Sequence, residues 1–81
     1  MRVTLLEAWR ALYDGNAREV ILPGEDGEVC VLDFHEPFCY RLRRGVIHIR
    51  EPRSPTTACR VLIRDGIARM AGNQLILLVK V

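Results

Sequence analysis

The side chains able to do covalent or metal chemistry are few in this sequence. His35 and His48 are the only histidines, Cys30, Cys39 and Cys59 the only cysteines, and Ser54 the only serine. Neither histidine has a cysteine, an acid or the other histidine at a recognisable ligand spacing, and no two cysteines are spaced as a zinc pair. Three thiols, an odd number, read as buried and free rather than as a disulfide framework. Ser54 lies in a loop between Pro52 and Pro55 with no base beside it to make it a nucleophile. Glu25, Asp26 and Glu28 gather around Gly24 and Gly27, but a calcium loop needs alternating ligands closed by a bidentate glutamate farther on. No glycine-rich loop ends in lysine. Glu25 and Asp26 read as a solvated turn rather than an acid–base couple, and the sequence predicts no catalytic residue, no metal and no cofactor.

The stretch from Pro23 to Pro37 positions those acids and His35. Pro23 cannot donate to a sheet ladder and is expected to end the strand before it, with Gly24 and Gly27 supplying positive φ to a tight reversal. Val29 to Leu32 is a short apolar strand, and His35-Glu36-Pro37 closes it, because a residue before proline is pushed out of the helical region. The whole chain has 81 residues, enough for one small domain over 1–81. Its hydrophobic fraction of 49% against 27% charged is that of a folded globular chain. No apolar run approaches the roughly 20 residues of a membrane helix, and the N-terminus lacks a signal-peptide layout. A cytoplasmic location is expected.

In chain order, Arg2 to Ala8 reads as a strand, although Leu5 to Leu12 fits a helix equally well by periodicity. The Tyr13-Asp14-Gly15-Asn16 turn signal leaves more room for two short strands. Ala17 to Leu22 is the next strand. Phe38, Tyr40 and Leu42 alternate with Cys39, Arg41 and Arg43, as in a strand with one wet face. Turns are expected at Arg44-Gly45, Asp65-Gly66 and Gly72-Asn73, with a loop over 51–56. Between them lie strands around Ile47 to Arg50, Cys59 to Arg64 and Ile67 to Met70. His48 points outward or to a rim. The last run, Leu75 to Val79, is apolar on both faces and must be central or covered. The pattern predicts an all-β fold, a flattened sandwich or barrel of roughly 8–10 short antiparallel strands.

Charge is split along the chain. From Asp14 to Glu36 seven acids face Arg18 alone, a net of −6; from Arg41 to Arg64 seven arginines face Glu51 alone, a net of +6. Either neighbouring strands attract across the fold, or two surfaces of opposite potential meet two partners.

Leu12-Tyr13-Asp14-Gly15, Glu19-Val20-Ile21-Leu22-Pro23-Gly24, Gly27-Glu28, His35-Glu36-Pro37 and Leu42 with Gly45-Val46-Ile47-His48-Ile49 resemble, in that order, the N-terminal domain of the epsilon subunit of rotary F-type ATP synthases. Asp65-Gly66-Ile67-Ala68 and Asn73-Gln74-Leu75-Ile76-Leu77 look like that domain's second glycine turn and closing strand. The resemblance runs from about Val3 to Val79 and implies a flattened sandwich of about ten strands. It implies a mechanical role at the foot of the central stalk, holding the gamma subunit and resting on the loops of the membrane c ring, with no catalysis and no direct nucleic-acid contact. The domain would be peripheral to the inner face of the energy-coupling membrane, through the complex. The family's ring-facing positions carry over onto Glu28 and His35. The ring's polar loop presents an arginine in the family, so Glu25, Asp26 and Glu28 are the surface expected to meet it.

Two turns depart from the family pattern, with Glu36 in place of alanine and Asp65 in place of the first of two glycines. The sequence ends before the pair of C-terminal helices by which typical epsilon subunits inhibit ATP hydrolysis, so that route of inhibition is not expected of it. Leu75 to Val79, Trp9 and Phe38 either fill the core or form an exposed patch for a partner. The alternative reading is a stand-alone binding domain whose Arg41, Arg43, Arg44 and Arg50 hold an anionic ligand, nucleic acid or a protein. An aromatic content of 6% speaks against a single-strand stacking platform.

Overall fold

The computed structural model describes residues 1–53 and 57–81. Nine strands account for most of them: β1 (Arg2–Glu7), β2 (Arg10–Asn16), β3 (Glu19–Gly24), β4 (Gly27–Leu32), β5 (Phe38–Leu42), β6 (Gly45–Arg50), β7 (Thr57–Ile63), β8 (Asp65–Ala71) and β9 (Gln74–Lys80). No helix occurs among the described residues. The strands are joined in the order β2-β1-β9-β8-β5-β3-β6-β7, with β4 on the free edge of β3. One layer is β2-β1-β9-β8-β5 and the other β4-β3-β6-β7. A two-stranded ribbon folds from the first layer into the second: Leu42 pairs with Gly66 before the corner, and Gly45 with Ile63 after it. The corners are Arg43–Arg44 on one strand and Arg64 on the other, the bends by which sandwiches close. The expected all-β sandwich is thus present as a nearly closed body. One pairing departs from the antiparallel expectation, because β1 and β9 run parallel.

Alternation fills the interior. Val3 and Leu5 of β1, Val20 and Leu22 of β3, Ile47 and Ile49 of β6, Ala68 and Met70 of β8, and Leu75 and Leu77 of β9 are buried, and no polar or charged residue among those described is. Each large aliphatic side chain so placed contributes about 1.5–3 kcal/mol. The run Leu75 to Val79 is indeed central in hydrogen bonding, between β1 and β8, yet its outward residues Ile76 and Leu78 remain exposed.

Several turns lie elsewhere than the sequence predicts. Tyr13 to Asn16 belongs to β2, and the reversal before it is at Ala8–Trp9, where Ala8 takes a φ of 50° although it is not glycine. The next turn falls at Ala17–Arg18. Pro23 does not end β3. It pairs with Glu28, and its carbonyl accepts the Arg43 amide at 2.9 Å on the other edge. Amide and carbonyl of one residue share an edge of an antiparallel strand, so the missing N–H leaves the β4 ladder intact. Gly27 has the positive φ, 132°, and Gly24 does not; a Cβ on Gly24 would lie 2.6 Å from the Gly27 carbonyl oxygen. Gly45 opens β6 rather than turning, and its absent side chain lets β6 start against Pro23, whose Cβ would be 2.6 Å from an added Cβ. Asp65-Gly66 likewise begins β8. The Gly72-Asn73 turn is as expected, both residues at φ 56°. Of the 51–56 loop, Glu51 to Arg53 are irregular and exposed, and the rest lies outside the described residues. The thiols are free but not buried: Cys30 and Cys39 are exposed and Cys59 is half-buried.

Candidate partner-binding surfaces

The acidic candidates sit on one two-residue hairpin. Gly24 pairs with Gly27, leaving Glu25 and Asp26 as the turn and Glu28 as the first outward side chain of β4, all exposed. The tip is strapped to β5: the Glu25 amide donates to the Arg41 carbonyl at 3.0 Å, next to the Arg43–Pro23 bond. The Arg41 Nε lies 3.6 Å from Glu25 and 4.0 Å from Asp65. These exposed pairs are worth under about 1 kcal/mol, so they orient more than they stabilise. Asp26 and Glu28 form no ion pair among the described residues. Together the three acids edge a cleft of about 250 Å³ with Val29 and Tyr40.

His35 is placed at the far end of β4, about 20 Å along the strand at ordinary spacing. The Asp33–Phe34 turn carries it there. Phe34 has a φ of 61°, and its amide donates to Asn73 Oδ1 at 2.7 Å, tying this end of β4 to the β8–β9 turn. The His35 Nδ1 donates to the Glu36 carbonyl at 2.9 Å. The structure therefore does not gather His35 with Glu25, Asp26 and Glu28. An aromatic row connects them instead: His35 meets Phe38 edge-on at 5.1 Å, and Phe38 stacks on Tyr40 at 4.5 Å. Tyr40 was missed as a site residue, although its spacing of two from Phe38 was the available signal.

The four arginines singled out do not form one face. Arg50 Nη1 lies 2.9 Å from Glu19 Oε1, where the two residues are paired across β3 and β6. Arg41 is drawn to Glu25 and Asp65. Arg43 and Arg44 at the corner are exposed and unpaired among the described residues. The charge split thus serves attraction between neighbouring strands at two points and leaves the corner pair over.

A further surface is apolar. On the outer side of β1, β9 and β8, Leu6, Leu78 and Ile67 stand in register, with Ile76 one step along. Leu78 and Ile67 are about half exposed, at 51% and 50%. They line a groove of about 610 Å³ whose rim carries Arg41, Asp65 and Lys80. Trp9 is wholly exposed on the neighbouring hairpin. Phe38, named with Trp9 from the sequence, is half-buried against the core instead.

None of the titrating groups with displaced values is set up as a nucleophile. Burial pushes the Cys59 thiol up. Burial and then the Glu19 carboxylate, which accepts from its Sγ at 3.5 Å, push Cys30 up. A raised thiol is a poorer nucleophile at neutral pH.

This flattened sandwich, with its acidic hairpin and apolar outer layer, matches over residues 1–81 the family described as the ATP synthase Delta/Epsilon chain beta-sandwich domain. The chain belongs to that family. Similar relatives include "ATP synthase epsilon chain 2" of Burkholderia orbicola, 32% identical over 84 residues that cover 93% of this chain and 54% of the relative. Another is the chloroplastic epsilon chain of Guillardia theta, 30% identical over 79 residues covering 98% of this chain and 58% of the relative. The chain spans about half the length of the curated relatives it matches. Among solved structures, a chain in the Tetrahymena thermophila mitochondrial ATP synthase central stalk/c-ring superposes with a TM-score of 0.82 at 15% identity, covering 99% of this chain and 63% of that one. One in the Euglena gracilis mitochondrial ATP synthase gives 0.86 at 16% identity, with 95% and 48% covered. At those identities the likeness is one of fold: the sandwich persists where few side chains do.

Proposed function

We infer that this chain acts as a non-catalytic central-stalk subunit of a rotary F-type ATP synthase, coupling the gamma subunit to the membrane c ring during proton-driven ATP synthesis. The family match over residues 1–81 carries this reading. Torque transmission asks for a stiff body with two separate contact surfaces, and the described residues supply candidates for both. The apolar outer layer of Leu6, Ile67, Ile76 and Leu78 suits a lasting contact with gamma, because burying half-exposed aliphatic side chains is favourable at an interface as in a core. The tip with Glu25, Asp26 and Glu28 suits the basic ring loop that the family resemblance implies. His35, beyond the opposite end of β4, would need a second contact to meet the ring. Attraction between acids and arginine there would guide docking and set orientation more than hold the complex. The subunit would be peripheral to the membrane, on the side where the rest of the complex lies. No bond is made or broken by this chain in that role.

The test is to tag the chain in its native host, solubilise membranes gently and identify what co-purifies. Recovery of gamma, c and the catalytic subunits in fixed ratio supports the stalk role. Recovery of the chain alone, from material whose ATP synthase is intact, means that the fold has been kept for another task.

A further inference from the structure

We propose that the concavity at the β5–β6 corner, between the guanidinium groups of Arg43 and Arg44 and the imidazole of His48, is a binding site for a phosphate group. The corner is built before any ligand arrives. The Arg43 amide is committed to the Pro23 carbonyl at 2.9 Å, and the side-chain-free Gly45 seats β6 directly on Pro23. The backbone from which both guanidinium groups project is therefore fixed, and less ordering is needed on binding. The space between this corner and the β3–β4 hairpin is about 230 Å³, with Gly24, Gly27 and Val46 completing its walls. Glycine walls leave room for a tetrahedral anion and its water.

The sign of the site follows from which arginines are already engaged. Arg41 and Arg50 point their charge at Glu25, Asp65 and Glu19. Arg43 and Arg44 are exposed, adjacent and without an ion pair among the described residues, so their donors are available. Guanidinium forks match phosphate oxygens two at a time, which an ammonium cannot do. Glu28 also lines the concavity and repels a bare anion. A phosphate ester with a hydroxyl or amine donor beside the phosphate answers both charges, the phosphate on Arg43 and Arg44 and the donor on Glu28.

The test uses the whole 81-residue chain, ¹⁵N-labelled, with inorganic phosphate and glycerol-3-phosphate as probes. Expected are saturable amide shifts at Gly24, Gly45, Val46 and His48, with glycerol-3-phosphate the tighter of the two. Arg43→Ala with Arg44→Ala should weaken both about tenfold, whereas Arg64→Ala, an exposed arginine at the other corner, should leave them unchanged. A retained amide spectrum shows that the double variant is folded, and Arg43→Lys with Arg44→Lys, which keeps the charge, should still lose most of the effect. Cosedimentation with phosphatidylglycerol vesicles forms the second arm: binding there that requires Arg43 and Arg44 identifies a lipid headgroup as the source of the phosphate. Shifts that rise linearly without saturation, or an equal loss in Arg64→Ala, overturn the site and leave only a solvated basic surface. So does undiminished binding by the lysine variants, because charge alone would then suffice.

Discussion

The two outer faces of the sandwich are made by the same alternation and differ in how their apolar and charged side chains are grouped. Outward positions on β1, β9 and β8 carry Leu6, Ile76, Leu78 and Ile67, whereas outward positions on β3, β6 and β7 carry Glu19, His48, Arg50 and Arg60. Stability does not require the first choice, since the interior already holds the aliphatic side chains that drive folding. Leu32 and Leu62 are exposed on the second layer as well, at 52% and 60%, but the row of Leu6, Leu78 and Ile67 side by side across three strands belongs to the first and points to use in binding. On the charged face the same reasoning separates Arg50, committed to Glu19, from Arg43 and Arg44, which the fold leaves open.

Adjacent residues of β9 give the sharpest way to break this contrast. Leu77 is fully buried and Leu78 is 51% exposed. Leu77→Ala should cost about 2–5 kcal/mol of unfolding free energy by urea titration. Leu78→Ala should cost less than about 1 kcal/mol. Similar costs at the two positions would mean that the outer layer is part of the folded body's own packing, and the apolar face would lose its claim as an interface.

The next effect is on association. Leu78→Glu places a charge at the centre of the groove, and it should weaken capture of gamma by about 2 kcal/mol, some thirtyfold, while the unfolding midpoint barely moves. Unchanged capture by a folded variant removes this face from the stalk contact. Glu28→Lys should act more weakly and in another way. It reverses charge at an exposed tip, so association with the ring should slow by up to about tenfold at low salt and converge with the parent as salt rises. A loss independent of salt would show that Glu28 is buried in a contact rather than guiding an approach.

The contrast also explains what could be read from the sequence. Alternation at Phe38 to Leu42 and Ile47 to Arg50 made the strands legible, and Ile76 and Leu78 could be flagged because both faces of one run were apolar. The turns were less legible where the structure departs from residue preference. Asp14-Gly15-Asn16 looks like a reversal but lies on the edge strand β2, where little packing opposes small polar residues. The true reversal at Ala8–Trp9 has no glycine, proline or Asx residue, and is marked by a positive φ at alanine and by the register shift between Leu5 and Leu6. Gly24, Gly45 and Gly66 look like turn formers in the sequence, but each is a glycine because a Cβ would come within 3.0 Å of another strand. A close approach between distant segments leaves no local pattern. For the same reason the sequence showed four arginines as one group, and only the register of β3 with β6 reveals that Arg50 is spoken for.

The smallest expected effect concerns what keeps the two faces apart. Tyr13 of β2 packs against the core near Glu51, which follows β6, so it sits where the free edges of the two layers meet. Its hydroxyl donates to the Asn16 carbonyl at 3.2 Å. Burial first, then the negative charge of Glu51 and the nearby Cys59, push its pKa above the ordinary 10.0. The unfolded chain therefore gives up this proton before the folded one does. Stability from Tyr13 is intact below pH about 10 and is lost as pH rises from there through the higher folded value. Tyr13→Phe removes the ionisable group, so its urea midpoint should fall less than the parent's between neutral pH and pH about 10.5. Cys59 and Cys30 are also pushed up, in each case first by burial, so the variant should flatten the decline without abolishing it. A decline as steep as the parent's would mean that neither burial nor Glu51 holds the proton on Tyr13, and that this seam is open to water in solution.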